Sequence, residues 1–446
     1  MELLLTNARW LDPDNLTIRD TCLRIRPSPD GGPKKELESD QFQDSETCLE
    51  FLDAPPAPDA EGSDRQPPVR VIDCGGKLVT RSFALGHHHL YSTFARGMPA
   101  PPRTPTNFPE ILDLIWWRLD KRLDLPMIEA SALATALLCA KRGVTFVIDH
   151  HASPFAVNGS LETIAKAFES VGLGHLLCYE MSCRDGEAVK EAGLEETQRY
   201  LASGRIGQVG LHASFTVDDD LLARAVALAD RYGTGLHMHV AEDMADQNHC
   251  LHHYGKRVVQ RLADAGALAS PHTLLAHCVH LDEAERELLR DSPVYVAQAS
   301  ESNLNNNVGL GRYDDLGPRV ILGTDGMHVD MLRSLKAAFI AGQSAESLGF
   351  QEAYARLRRT HELIREIGAP GDGANNLVIL DYDSPTPLTP ENMLGHFLFG
   401  LEAIHVHTVI AQGRLVVEDR RLVSRDESEI LAFAHEQTQR LWERLR

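Results

Sequence analysis

The residues with the clearest chemical potential in this sequence are two histidines in the stretch Gly86–Ser92. They follow an apolar run, Leu78–Leu85, whose pattern predicts a β-strand. Successive side chains of a strand point to opposite faces, so His87 and His89 share one face and His88 lies on the other. Two imidazoles on one face at the end of a strand can bind a metal ion. A His-x-His triplet also occurs by chance, so this pair needs support from the rest of the chain.

Histidines and acids also follow other predicted strands. β-rich and helical patterns alternate from Leu78 to Ile367 and comprise eight strands. Such alternation predicts a parallel sheet, and eight units in about 290 residues suit a closed, TIM-like (β/α)8 barrel. An open doubly wound sheet is the alternative fold, but no G-x-G-x-x-G turn supports it. Functional groups of such barrels lie where the strands end, and the residues found there are His87, His89, His150, His151, His212, His239, Glu242, His277 and Asp325.

The composition excludes several classes of partner. The 446 residues carry 44 basic and 64 acidic side chains, a formal net charge of -20. A surface this acidic repels phosphate backbones and anionic membranes, so we expect neither nucleic acid nor a membrane as a partner. No run of eighteen apolar residues and no signal-peptide pattern is present. The 8 cysteines have no CxxC spacing, which fits reduced thiols in a cytoplasmic protein and excludes the cysteine-bound zinc deaminases.

Strand patterns also occupy both ends of the chain. Residues 1–77 and 371–446 are predicted to form one small β-sandwich beside a barrel of residues 78–370, with a helix over Glu427–Leu445 closing the chain. Residues 27–68 are rich in Pro, Asp, Glu, Gly and Ser and poor in aliphatic side chains. Such a segment buries too little apolar surface to order itself, so we expect a flexible insertion in the sandwich.

The combined pattern resembles the amidohydrolase superfamily, which has H-x-H after the first strand, H-x-x-E after the fifth, His after the sixth and Asp after the eighth. More closely, the chain is similar to the mononuclear aminohydrolase and deaminase branch, and within it to the SsnA-type aminohydrolases. This resemblance implies the barrel with its attached sandwich, and a homodimer. It is carried by His89–Met98, Trp116–Asp120, His150–Pro154, Gly210–Thr216, His239–Asp243, Ala276–His280 and Gly323–Met327.

The resemblance implies one metal site. Its ligands would be His87, His89, His239 and Asp325, which bind a single divalent ion. The donor chemistry agrees, because three neutral imidazoles and one carboxylate leave a net positive centre that lowers the pKa of a bound water. Zinc is the expected metal and iron the alternative, since imidazole suits both. No lysine ends the fourth strand, where binuclear relatives place a carboxylated one, so we expect one metal ion rather than two.

Three residues are expected to act on protons. Glu242 would take the proton of the attacking water and deliver it to a ring nitrogen of the substrate. His277 would hydrogen-bond the hydroxide or the developing oxyanion, and Asp325 would also accept a proton while it binds the metal. The predicted substrate contacts, each with a packing or surface role as its alternative, are His212, Arg184, Trp117, Tyr91, Ser302 and Asn303.

The expected reaction is hydrolysis of a carbon–nitrogen bond. A metal-activated hydroxide would deaminate a small nitrogen heterocycle, which the resemblance suggests is purine-derived, as in purine catabolism. Two alternatives stay open: ring-opening hydrolysis of a cyclic amide or ureide at the same site, and a non-catalytic metal-binding scaffold. Glu242 and His277 beside the metal ligands argue against the scaffold. The loop Gln298–Asn303 reads Gln-Ala-Ser-Glu-Ser-Asn, where the family usually has His-Asn-Pro-x-Ser-Asn, and this departure leaves the substrate open.

Overall fold

The fold is described by a computed structural model for residues 1–28, 48–54 and 69–446. The strands of these ranges are β1 (Glu2–Leu11), β2 (Ile18–Ile25), β3 (Leu49–Leu52), β4 (Val69–Asp73), β5 (Leu78–Arg81), β6 (Phe83–His88), β7 (Val144–His151), β8 (Gly174–Tyr179), β9 (Val209–Ala213), β10 (Leu236–Val240), β11 (Leu274–His277), β12 (Tyr295–Gln298), β13 (Val320–Leu322), β14 (Leu377–Leu380), β15 (Val406–Ala411), β16 (Arg414–Glu418) and β17 (Arg421–Leu422).

Helices connect most of the central strands. The α-helices are Phe108–Ile111, Trp117–Asp120, Leu125–Ala140, Ser160–Val171, Glu187–Ala202, Asp219–Tyr232, Met244–Tyr254, Val258–Asp264, Glu283–Arg290, Ser300–Asn305, Met331–Ala345, Phe350–Arg358, Thr360–Ile367, Met393–Gly395 and Glu427–Leu445. Short 3₁₀ turns lie at Leu90–Ala95, Ser214–Thr216 and Ala403–His405. π-helical turns lie at Leu112–Trp116 and His396–Gly400.

Strands β6–β13 pair in parallel and in chain order. Continuous ladders join β6 to β7 to β8, and β9 through to β13. Single bridges join the two ladders, Leu177 with Gly207 and Met181 with Leu211, and a bridge from His88 to Asp325 connects the last strand to the first. The pairings therefore run around a ring, and the carboxyl ends of its eight strands meet at one rim.

The interior of this ring is apolar below the rim. Alternate strand residues such as Phe146, Ile148 and Tyr295 form one buried cluster, while their neighbours in sequence, such as Val147 and Val296, pack against the surrounding helices. Strands covered on both faces must be apolar on both, which is why these segments are continuous hydrophobic runs. Polar side chains are thus concentrated at the rim.

The strands from both termini share a single nine-stranded sheet. Its order is β17-β16-β15-β14-β5-β1-β2-β3, with β4 pairing β1 as well. The predicted single strand Leu78–Leu85 is therefore two strands in different sheets: β5 pairs with β14, and β6 with β7. The change occurs at Ser82, whose N–H donates to the Asn376 carbonyl while the next N–H, of Phe83, donates to Gly143.

The predicted insertion 27–68 is only partly described. Leu49–Leu52 form a regular strand paired with β2, so this part of the predicted insertion is ordered. The side chains of this strand are half-buried, and Leu49 packs on the terminal-sheet core, which the composition of the segment does not reveal. The remaining parts of the predicted insertion, 29–47 and 55–68, lie outside the described residues.

The C-terminal helix Glu427–Leu445 supports the rim. The Trp442 indole N–H donates to the Phe94 carbonyl at 2.9 Å, and Arg444 pairs with Asp124 at 2.6 Å. In the described ranges no single helix is long and apolar enough to cross a membrane. One pair of helices, bent by 107° at the break between them, is long and apolar enough when the two are taken together: Phe108–Asp120 and Leu125–Ala140.

Candidate metal centre and active site

Four side chains from three strand ends converge at the rim of the ring. One ligand atom from each of His87, His89, His239 and Asp325 lies within 4.8 Å of every other. The His89 Nε2 atom is 3.0 Å from the Asp325 carboxylate and 3.1 Å from His239 Nε2. His87 Nε2 lies 3.6 Å from the same carboxylate oxygen. These distances suit donors that surround one small cation.

The hydrogen bonds of the histidines leave their Nε2 atoms available to a metal. His89 Nδ1 donates to the His150 carbonyl at 2.6 Å, and His87 Nδ1 is engaged by His237 Nε2 at 2.9 Å. The buried His87 Nε2 then has no hydrogen-bond partner. Burial lowers the pKa of His87 to about 3, so its ring is neutral near pH 7. The Nε2 atoms of His87 and His89 face one carboxylate while a partner engages the other nitrogen of each ring, an arrangement that fits a divalent metal.

The bridge between the last and the first strand of the ring brings Asp325 close to the histidines. Its N–H and that of Thr324 both donate to the His87 carbonyl. Gly323 permits this approach, because a Cβ atom there would lie only 2.9 Å from the His87 Cβ. The Asp325 backbone has φ +49°, a strained conformation for a non-glycine residue that is concentrated at functional sites. His88 faces the other way and bonds Thr324 Oγ1 and the Asp325 carbonyl, as strand alternation predicts.

Glu242 and His277 lie next to the metal ligands. His277 Nε2 is 3.5 Å from a Glu242 carboxylate oxygen, and the other oxygen accepts from Asn306 Nδ2 at 3.2 Å. Burial raises the pKa of Glu242 to about 7. A carboxyl group that titrates near neutral pH is suited to accepting and releasing one proton. The Asp246 carboxylate fixes the loop that carries Glu242 by accepting from the Ala241 and Phe215 N–H groups.

The helix Ser300–Asn305 positions this machinery. Ser302 Oγ donates to the Asp325 carboxylate, and the Asn303 amide oxygen accepts from His277 Nδ1 at 2.8 Å. Both side chains are buried, and neither lines the pocket. In this structure the polar atoms of Ser302 and Asn303 point toward Asp325 and His277, and their contact with substrate stays a prediction.

The pocket above the centre has a wall of aromatic and polar side chains. Tyr91, Trp117 and His212 line it, and their contact with substrate stays a prediction. Burial lowers the pKa of His212 to about 4, so it is neutral near pH 7. Arg184 stands behind this wall: its guanidinium pairs with Asp120 at 2.5 Å and lies over the Trp117 ring at 5.1 Å. Arg184 is paired with internal carboxylates in this structure, and its contact with a substrate group stays a prediction.

The family of this chain is shown by its match to a family model. Residues 86–355 match the model of the amidohydrolase family. The chain belongs to the amidohydrolase family. It is 29% identical over 400 residues to the 5-methylthioadenosine/S-adenosylhomocysteine deaminase of Pelotomaculum thermopropionicum, covering 84% of this chain and 88% of that protein. It is 29% identical over 346 residues to the 5'-deoxyadenosine deaminase of Methanopyrus kandleri, covering 73% and 78%. These are SsnA-like aminohydrolases, so the predicted branch is confirmed.

Solved structures share the fold of this amidohydrolase. An adenosine deaminase from Xanthomonas campestris with bound zinc superimposes with a TM-score of 0.77 at 18% identity, covering 98% of each chain. Atrazine chlorohydrolase from Arthrobacter aurescens, complexed with zinc, gives a TM-score of 0.75 at 19% identity, covering 98% of this chain and 100% of that one. Zinc-bound neighbours and the buried His/Asp cluster together support a divalent metal in this chain.

Several residues of the amidohydrolase site were not assigned from the sequence. Glu180 and Asp120 line the pocket together with Asn306, and His237 orients His87. His237 lies two residues before His239 in the same strand, so strand alternation would have placed the two side chains on one face. The other three had no comparable signal: Glu180 follows a strand whose last residues include no histidine, Asp120 lies in a broken helix, and Asn306 follows an unpredicted helical turn.

Proposed function

We propose that this protein is a hydrolase of carbon–nitrogen bonds that deaminates a small purine-derived heterocycle. One observation carries the proposal: four metal-binding side chains, an acid–base carboxyl group and a histidine meet at one pocket. The deaminases named among its relatives act on adenosine-type compounds, which supports the same reaction class here. One divalent ion, with zinc expected and iron the alternative, would be held by His87, His89, His239 and Asp325.

The residues around the centre divide the chemistry among them. A metal held by these residues would lower the pKa of the attacking water, so that hydroxide is available near neutral pH. Glu242 accepts the proton of that water and gives it to a ring nitrogen, while His277 hydrogen-bonds the oxygen that attacks the ring carbon. An O–C bond forms, the C–NH2 bond breaks, and the amino group leaves as ammonia after gaining the second proton of water. Ring opening remains the alternative if the leaving nitrogen belongs to the ring.

The architecture supports a finer proposal. We infer that the ring of β6–β13 is the closed barrel and that the nine-stranded terminal sheet is the sandwich side, with the division near residues 78 and 370. In this division β5 belongs with the terminal strands, because β14 is its antiparallel partner. The homodimer and the cytoplasmic location stay predictions.

Ammonia release tests the reaction. We expect zinc-loaded protein to release ammonia from at least one aminated purine base or nucleoside, and Glu242→Gln to keep its metal while losing activity by about 10²- to 10⁴-fold, because proton transfer is removed. Glu283→Gln, an exposed carboxylate on a distant helix, is the matched control and should match wild type. A ring-opened product without ammonia from cyclic ureides would favour the alternative, and unchanged turnover in Glu242→Gln would contradict the proposed role.

A further inference from the structure

Three histidines lie near the C-terminal end of the helix Met244–Tyr254, which begins just after Glu242. They are His249, His252 and His253. None of the three lines the pocket, and none belongs to the buried cluster of metal-binding side chains. The surface of this helix therefore carries a group of imidazoles that the proposed reaction does not use.

Two of these histidines lie side by side. His249 and His253 are four residues apart, the spacing that places two side chains on one face of a helix. Their ring centroids are 4.1 Å apart, with an angle of 31° between the ring planes. The His252 ring contacts His253 edge-on at 4.8 Å and lies on another face, because adjacent residues of a helix point about 100° apart. One pair of imidazoles thus shares a face, with the third histidine beside it.

The nitrogens of this pair are available to a ligand. In the part of the chain that the structure describes, neither ring makes a hydrogen bond, and the buried Nδ1 atom of His249 has no partner. His253 is exposed and His249 is half-buried, so an ion can approach the pair from solvent. Burial, together with the neighbouring His253, lowers the pKa of His249, so its ring is neutral and offers a lone pair near pH 7.

The surroundings of the pair suit a cation. The helix ends at Gly255, and the unpaired carbonyls of a last helical turn carry partial negative charge that favours cations. The formal net charge of -20 also attracts cations to the surface. The Arg261 guanidinium lies near His249, but it pairs with Asp219 at 2.8 Å, so its charge is compensated.

We propose that His249 and His253 bind a divalent transition-metal ion at the protein surface through one nitrogen of each ring. Two histidines four residues apart on one helix face are the arrangement with which metalloprotease helices bind zinc. A rotation of the two surface side chains brings both nitrogens to the usual metal–nitrogen distance of about 2.0–2.1 Å. Copper, nickel and zinc all suit imidazole, copper most strongly, and water completes the coordination.

This surface site is separate from the buried centre and independent of the proposed reaction. It offers two protein ligands, whereas His87, His89, His239 and Asp325 offer four. Its ion should therefore be the more weakly bound of the two, so dialysis against metal-free buffer should remove it and leave the buried ion in place.

Nickel binding to the untagged, zinc-loaded full chain tests the site. Equilibrium dialysis against Ni²⁺, followed by elemental analysis, should find one nickel per chain in addition to the buried zinc. His249→Ala and His253→Ala should each weaken nickel binding by at least about tenfold, because a second imidazole on the same helix acts at a high effective concentration. His252→Ala, on another face of the same helix, is the matched control and should bind nickel as wild type does.

A further variant separates metal binding from packing. His249→Phe keeps an aromatic ring against Phe215, which the His249 ring contacts at a centroid distance of 6.4 Å, but it removes the nitrogens, so it should lose nickel binding as His249→Ala does. Full nickel binding in His249→Phe would overturn the inference, as would unchanged binding in both alanine variants or an equal loss in His252→Ala. Nickel that enters only as zinc leaves would also overturn it, because the ion would then occupy the buried centre.

Discussion

The metal-binding side of the pocket and its aromatic wall are built in different ways. The proposed metal ligands come from strand ends of the ring, where parallel pairing fixes the backbone and a hydrogen bond at Nδ1 fixes the rings of His87 and His89. The wall comes from the broken helical segment Phe108–Asp120, in which a π-helical turn at Leu112–Trp116 interrupts the α-helix. The metal-binding side is therefore positioned by the regular pairing of the strands, and the wall by the π-helical turn.

This difference separates the residues that would carry out the reaction from those that would select the substrate. Phe108, Leu112, Trp116 and Trp117 all line the pocket, although in a regular helix only the first three, four residues apart, would share one face, and Trp117 would point away from it. The π-turn rotates the second half of the segment and makes this possible, a use of π-turns that recurs at functional sites. Changes to the strand ends should therefore abolish chemistry, and changes to the wall should alter substrate affinity.

The largest expected effect comes from the metal side. His239→Ala and Asp325→Ala each remove one of four ligands, so metal affinity should fall by more than about a hundredfold, since losing a mere supporting contact already costs 10- to 100-fold. Elemental analysis of purified protein should find about one zinc or iron per chain in wild type and almost none in either variant. Ammonia release should fall to background together with the metal.

An exposed histidine provides the control for this prediction. His252→Ala, on the surface of the helix Met244–Tyr254, should retain both metal and activity. Full metal content in Asp325→Ala would contradict the four-ligand centre. Two metal ions per wild-type chain would contradict the expectation of a mononuclear site.

The two sides also differ in how much the sequence could predict. The resemblance to the family implied the proposed metal ligands, and strand alternation independently predicted that His87 and His89 share one face. Arg184 shows the opposite case: a strand-end cation was expected to meet substrate, but Asp120, sixty-four positions away in the chain, occupies its guanidinium. Ser302 and Asn303 were expected in the pocket, but the helix that carries them turns both inward. Long-range polar pairing and short irregular helices leave no periodic signal.

A smaller effect is expected from the residues that position the catalytic groups. Asn306→Ala removes the 3.2 Å hydrogen bond to Glu242, so the carboxylate loses its fixed orientation. We expect kcat to fall roughly tenfold, the value of one hydrogen bond to a charged group, while metal content remains at wild-type level. Steady-state kinetics with a substrate found in the ammonia screen measures this change. Leu304→Ala, at a neighbouring side chain that is 54% exposed, is the control, and equal losses in the two variants would mean that the helix, and not the contact, was damaged.

The smallest effect should come from the wall itself. Trp117→Leu keeps the site apolar but removes the ring that contacts His212 at a centroid distance of 5.8 Å and covers Arg184. Because this ring offers an aromatic face to the pocket and no proton-transfer group, its stacking should contribute equally to the ground state and the transition state, and its loss should raise KM roughly two- to tenfold with little change in kcat. Phe155→Leu, at a side chain that is 65% exposed, should change neither constant. A fall in kcat at unchanged KM would place Trp117 among the groups that act on the reaction, and the division between a chemical side and a selecting wall would then fail.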